Sequence, residues 1–207
     1  METKQFSKKD ALAFGWETVK KRPVFIIGVW AIFLVLYAGY IIVDFVVFPD
    51  QIFTPFDLLF FPAIVFVTIG YIRICLNCID GEKSSVADLF RHYRLFLPML
   101  GASLLYGLSV MLGLILLIVP GIMVAMARYM YDYLIVDRKM SVSESLKYSA
   151  VIMKGHKGDL FVFLLLLIPV NIAGLLALGL GIFVTVPLSM LALTHAYRQI
   201  LALHEQE

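Results

Sequence analysis

The sequence predicts an all-α integral membrane protein: six transmembrane helices as three hairpins, each preceded by a cytoplasmic amphipathic interfacial helix. Three observations carry this. Residues AVILMFWYC make up 61% of the 207 residues and charged residues 15%, against about 45–50% and about 25% in soluble domains. Apolar runs of spanning length recur along the chain. Every Lys and Arg falls near alternate ends of those runs. A water-facing shell cannot cover so much apolar surface, so the main solvent is lipid. This excludes a soluble enzyme, a disordered tail and a nucleic-acid-binding module.

A bilayer core about 30 Å thick needs about 20 apolar residues in helical form. Six runs meet or approach that length: Val24–Val43, Leu58–Ile79, Pro98–Ile118, Pro120–Val136, Leu160–Leu178 and Leu180–Leu203. The third and fourth are separated by Val119-Pro120-Gly121, and the fifth and sixth meet at Gly179 and Gly181, so both pairs read as tight hairpins. The period-2 alternation of a barrel is absent, which leaves helices to satisfy the backbone in lipid. The first 22 residues are polar and precede a run of full spanning length. They therefore read as the approach to a retained first span, not as a cleaved signal.

Basic residues set the orientation. Lys4, Lys8, Lys9, Lys20, Lys21 and Arg22 precede the first span. Arg73, Lys83, Arg91 and Arg94 follow the body of the second. Arg128, Arg138, Lys139, Lys147, Lys154 and Lys157 surround the fourth and its connection. Arg198 closes the sixth, completing all 17. The opposite side carries Asp44, Asp50 and Asp57. An even number of spans with both termini cytoplasmic follows.

The chain also repeats. Ser7-Lys8-Lys9-Asp10, Ser85-Val86-Ala87-Asp88 and Ser141-Val142-Ser143-Glu144 each have the S-x-x-[DE] spacing of a capping box. Apolar residues at helical spacing follow each: Leu12, Trp16 and Val19; Val86, Leu89, Phe90, Tyr93 and Leu97; Val142, Leu146, Ala150 and Met153. Such stretches are expected to lie along the membrane, bases toward anionic head groups. In the second span of each hairpin a proline precedes an arginine: Pro62 and Arg73, Pro120 and Arg128, Pro187 and Arg198. A tyrosine (Tyr71, Tyr129 or Tyr197) lies within two residues of each arginine. One membrane domain, 1–207, thus divides into repeats over 5–80, 81–137 and 138–204.

Candidate site residues fall into two groups. Arg73, Arg128 and Arg198, with Lys20, Lys21, Arg22, Lys154 and Lys157, are placed to contact lipid head groups, the arginines by snorkelling from span ends. Asn171, His195 and Asp132 are polar groups inside apolar runs. Asn171 lies two residues after Pro169, where it either satisfies backbone freed by the proline or binds a solute. Arg128 and Asp132 have the i,i+4 spacing of an ion pair on one helix face. His195 reads as neutral and hydrogen-bonded. Ser103/Gly107 and Ser109/Gly113 are small-residue pairs suited to close helix packing. Cys75 and Cys78 form a CxxC inside an apolar run and read as buried hydrophobes. No catalytic set, cofactor motif or metal-ligand spacing is visible.

The stretches Asp80-Gly81-Glu82, Asp88-Leu89-Phe90, Ile118-Val119-Pro120-Gly121-Ile122, Ser145-Leu146-Lys147-Tyr148-Ser149 with Lys154-Gly155, and Pro187 to Ala196-Tyr197-Arg198 carry a family resemblance. Over roughly residues 60–203 the chain resembles uncharacterised prokaryotic multi-pass membrane proteins. These are related to the membrane domain of glycerophosphoryl diester phosphodiesterases; the catalytic domain of those enzymes has no counterpart here. The resemblance implies six helical spans in a prokaryotic cytoplasmic membrane, and it does not imply phosphodiesterase activity. The expected role is non-enzymatic: association with anionic lipids, with a membrane-protein partner or with further copies of the chain, and not with nucleic acid. The alternative is a small-solute or lipid transporter or channel, suggested by the repeats and the proline-interrupted spans.

Overall fold

A computed structural model describes residues 6–47, 54–177, 179 and 181–206. Lys4, Asp50 and the boundary residues Leu178 and Leu180 lie outside them. Among the described residues every regular element is helical. In chain order these are α1 (Lys8–Lys21), α2 (Pro23–Val47), α3 (Pro55–Ile79), α4 (Asp88–Arg91), a 3₁₀ turn (Tyr93–Leu95), α5 (Phe96–Leu116), α6 (Ile118–Ala127), α7 (Tyr131–Arg138), α8 (Val142–Ile152), α9 (Lys157–Leu176) and α10 (Ile182–Glu205). Four stretches are long and apolar enough to cross a bilayer: Pro23–Val47, Asp57–Ile79, Tyr93–Leu116 and Lys157–Leu176. The protein is an all-helical membrane protein with transmembrane character.

α10 is the pillar around which the others pack. Its Leu191, Ala192, Ala196, Tyr197, Ile200 and Leu201 are buried. Neighbours on α1, α2, α3 and α9 surround it. Two of the hydroxyls that make α10 less apolar than the four spanning stretches are satisfied within the helix. Ser189 donates to the Thr185 carbonyl at 2.8 Å, and Thr194 to the Met190 carbonyl at 2.8 Å. Such i−4 back-bonding is how hydroxyls sit inside a helix without water.

α1 departs from the expected surface helix. The buried stripe is Ala11, Gly15 and Val19, whereas Trp16 is exposed beneath the Lys20 ammonium, 4.7 Å from its ring. A Cβ on Gly15 would lie 2.6 Å from the Leu188 carbonyl oxygen, so only glycine lets α1 rest on α10. Its start is pinned as well. The Ser7 N–H donates to Gln199 Oε1 at 2.6 Å, Lys8 pairs with Asp159 at 2.7 Å, and the Phe6 ring meets Phe163 edge-on at 5.6 Å.

The stretch Pro120–Val136 is not one helix. α6 ends at Ala127, and α7 begins at Tyr131. The break leaves helix backbone groups unpaired, and Ser149 of α8 takes up two of them. Its hydroxyl accepts from the Met130 N–H at 3.1 Å and donates to the Ala127 carbonyl at 3.3 Å. Ser149 is wholly buried, so these bonds replace what water cannot supply. The hairpin before it also turns elsewhere than expected. The chain reverses at Leu117, in extended conformation, and Pro120-Gly121 belong to the first turn and a half of α6. Gly121 instead packs against α5: a Cβ on Gly113 would lie 2.9 Å from the Gly121 Cα. Gly113 thus fulfils the small-residue expectation, whereas a Cβ on Gly107 would meet nothing within 4 Å.

Two of the three S-x-x-[DE] motifs cap a helix; the second makes its Ser–Asp bond, but α4 starts after Ala87 with no side-chain cap. The Asp10 N–H donates to Ser7 Oγ at 3.3 Å, the Ser85 N–H to Asp88 at 2.8 Å, and Ser141 with Glu144 makes a full capping box. They do not start equal helices. α1 has 14 residues and α8 has 11, but the second motif leads only into the four-residue α4 and a 3₁₀ turn. A second full capping box, Thr54 with Asp57, starts α3, with Pro55 in its first turn.

Candidate functional site

The basic residues divide into those held by carboxylates and those left open. Arg198 is held most firmly. Its guanidinium spans Asp137 at 2.8 Å and Asp80 at 2.7 Å, and the Tyr197 hydroxyl donates to Asp137 at 2.8 Å. This joins the ends of α3, α7 and α10, so Arg198 serves packing. Arg138 pairs with Glu205 beside it. Arg73 reaches Glu82 at 3.9 Å, and Lys21 reaches Glu17 at 3.8 Å on an exposed face, where such pairs contribute little.

Lys20, Arg22, Arg128, Lys154 and Lys157 have no carboxylate partner among the described residues. Arg22 lines a cleft of about 150 Å³ with Phe14, Cys78 and Glu82. Arg128 caps α6 at the helix break. Because the helix stops there, Arg128 and Asp132 are not on one continuous helix face, and no ion pair joins them. Asp132 Oδ1 instead accepts from the Tyr133 N–H at 2.9 Å.

Arg128 opens into a groove of about 620 Å³ between α5 and α8. α5 contributes Leu105, Leu108 and Leu112, one face at i, i+3 and i+7. α8 contributes Leu146, Lys147 and Ala150, again one face. No acidic side chain lines it. The box that starts α8 holds the Glu144 carboxyl below the usual carboxylate range, because the Ser141 hydroxyl and N–H both donate to it. Lys147 belongs to this site although the sequence reading left it among the orienting charges. Its i,i+4 relation to Ser143, on the open face of an amphipathic stretch, is the signal that could have marked it.

The three intramembrane polar candidates are not joined by any hydrogen bond or ion pair. Asn171 Nδ2 donates to the Leu167 carbonyl at 2.8 Å and to Ser189 Oγ at 2.9 Å, tying α9 to α10. Its Oδ1 is buried without a partner. His195 stacks on Phe14, centroids 4.7 Å apart, and its Nδ1 lies 2.9 Å from Gln199 Nε2. Cys75 is buried and Cys78 partly so, and both thiols are free.

Residues 108–204 match a family described as a protein of unknown function, DUF975. The match begins within α5 and runs through α10, so it includes Arg128, Lys147, Asn171 and Arg198. This agrees with a likeness to an uncharacterised family, and nothing in it links the chain to phosphodiesterase membrane domains. No curated protein and no solved structure matches the chain.

Proposed function

We propose that the protein is a non-enzymatic, six-span protein of a prokaryotic cytoplasmic membrane, with both termini cytoplasmic, that associates with anionic lipids. The observation that carries this is that several of the cations, among them Lys20, Arg22, Arg128, Lys154 and Lys157, have no acidic partner among the described residues. A charge that served only to hold the fold would be paired, as Arg198 is. Cations left open beside long apolar helices gain by meeting phosphate, about 1 kcal/mol each near an anionic surface. The same cations could dock an acidic face of a membrane-protein partner or a second copy, which would need its own carboxylates at that level.

Six spans add two to the four uninterrupted ones. α6 has 10 residues and is followed, after the break, by the 8-residue α7, and α10 has 24 residues.

The test is thermal unfolding of the full chain in neutral detergent with added phosphatidylglycerol or phosphatidylcholine. Phosphatidylglycerol is expected to raise Tm more, and salt is expected to shrink the difference. Equal shifts from the two lipids overturn the reading.

One observation favours transport as the second reading. Asn171, with its unpartnered Oδ1, lines a groove of about 410 Å³ between α9 and α10. Asn171→Cys, in a chain carrying Cys75→Ala and Cys78→Ala, should react with a small polar thiol reagent if that groove conducts. Complete protection removes the transport reading.

A further inference from the structure

Two grooves of similar size face the lipid, and their linings differ. One, about 700 Å³, lies where α2, α3 and the start of α5 meet and is lined by apolar and aromatic side chains such as Leu36, Phe66 and Phe96. The other is the α5–α8 groove of about 620 Å³, which has Arg128 and Lys147 in its wall. Both volumes fall within the range of about 300–1,000 Å³ typical of small-molecule sites. The first can hold an acyl chain, but its lining offers a head group only the Tyr93 hydroxyl and no cation. The second combines an apolar trough with two cations that have no acidic partner among the described residues.

We propose that the α5–α8 groove binds one anionic phospholipid, its phosphate on Arg128 and Lys147 and an acyl chain along Leu105, Leu108 and Leu112. This rests on the lipid-association reading and gives it a place. The three leucines extend over 105–112, about 10 Å of helix rise, a length that an acyl chain beginning at the Arg128 end of α6 can follow. They are 47%, 51% and 57% exposed, so the trough is open toward the hydrocarbon. Arg128 sits at the end of α6, where the helix stops, and Lys147 projects from α8 across the trough from α5. A guanidinium can hold two phosphate oxygens at once, while an ammonium supplies a point charge. A zwitterionic head group would bring its own cation against these two, so an anionic lipid fits better.

The test is native mass spectrometry of the full chain released from nanodiscs of mixed phosphatidylglycerol and phosphatidylcholine. The wild-type chain is expected to keep one phosphatidylglycerol in preference to phosphatidylcholine. Arg128→Gln and Lys147→Gln should each weaken that retention about fivefold, and together about twenty-five-fold. Ala150→Trp fills the trough without changing charge and should also remove the bound lipid, while Arg128→Lys should restore part of it. Thermal unfolding in detergent alone identifies any variant that has lost its fold, and the remaining variants then decide the matter. If the groove variants retain phosphatidylglycerol as the wild type does, while Lys20→Gln/Lys21→Gln/Arg22→Gln loses it, the groove is overturned and lipid association stands. If the wild type shows no preference between the two lipids, both fail.

Discussion

Ser149 stands in for two missing helix hydrogen bonds, and it is the residue on which the 128–130 break most depends. Removing its hydroxyl leaves a buried N–H and a buried carbonyl without partners. An unsatisfied buried group costs about 1–3 kcal/mol, so Ser149→Ala is expected to destabilise the chain by about that amount. Equilibrium unfolding in mixed micelles measures it, and wild-type stability would show that the break is satisfied some other way. Arg198 is a second case in which one side chain holds several elements. Asp137→Asn takes away the charge that meets both the guanidinium and the Tyr197 hydroxyl. The Asp137 side chain is only 10% exposed, so the pair is poorly screened by water. Hydrogen bonds to charged groups contribute about 1.5–3 kcal/mol, and a loss in that range is expected. Asp80→Asn, at a carboxylate that is itself more open at 36% exposure, should cost less in the same unfolding measurement. The order of the two losses is the informative result, since equal losses would mean that burial does not set the strength of this network.

At the scale of elements, α8 is the helix whose formation depends most visibly on its first turn. It has 11 residues, shorter than an isolated helix needs in water, so its start must be fixed by a cap and its face by packing. Glu144 is held below its ordinary carboxylate range by the donors of Ser141. A carboxyl whose folded value is lower than its unfolded value stabilises the folded state above the unfolded value, about 4.3. That contribution is lost as pH falls through the folded value. Hydrogen exchange at the first-turn amides of α8 is therefore expected to accelerate, relative to the rest of the helix, as pH drops below about 4.3, and Glu144→Gln should abolish the difference. The cap was legible in the sequence because a capping box is local: serine and an acid three residues apart need no knowledge of the fold. The same reasoning gave the outline of α2, α3, α5 and α9 from apolar length alone. It failed where a distant residue decides. Nothing in Pro120–Val136 announces a break, because the hydroxyl that supports it comes from 149. The face of α1 was misread because hydropathy favours Trp16, while close approach to α10 favours the small stripe Ala11, Gly15 and Val19. The Thr54–Asp57 box was missed although T-x-x-D with proline at its first position carries the same signal as the others. The groove was half legible: Arg128 was marked as a span-end cation, but its separation from Asp132 and its alignment with Lys147 need the tertiary structure.

At the scale of the whole molecule, ion pairs constrain topology more tightly than helix length does. Arg198 touches Asp80, which follows α3, and Asp137, near the end of α7. One guanidinium therefore holds the ends of α3, α7 and α10 at a common level. Arg138–Glu205 and Lys8–Asp159 add the end of α7 to the end of α10 and the start of α1 to the start of α9. If only the four uninterrupted stretches crossed the bilayer, the chain would leave α5 on the outer side and remain there until α9. Arg138, Lys139, Lys147 and Lys154 would then be translocated, against the retention of basic connections on the cytoplasmic side. Asp80 and Asp137 would also face opposite compartments, which a shared guanidinium forbids. The proposed six spans would remove both conflicts, with the broken pair α6–α7 as the fourth. Single cysteines in a chain carrying Cys75→Ala and Cys78→Ala test this on intact cells. Lys139→Cys is the position that distinguishes the two topologies. With six spans an impermeant thiol reagent labels it only after the membrane is opened, as it labels Lys83→Cys, while Leu117→Cys at the α5–α6 turn reacts from outside. Labelling of Lys139→Cys on intact cells, with Lys83→Cys still protected, would establish four spans and would place the α5–α8 groove in the outer half of the membrane.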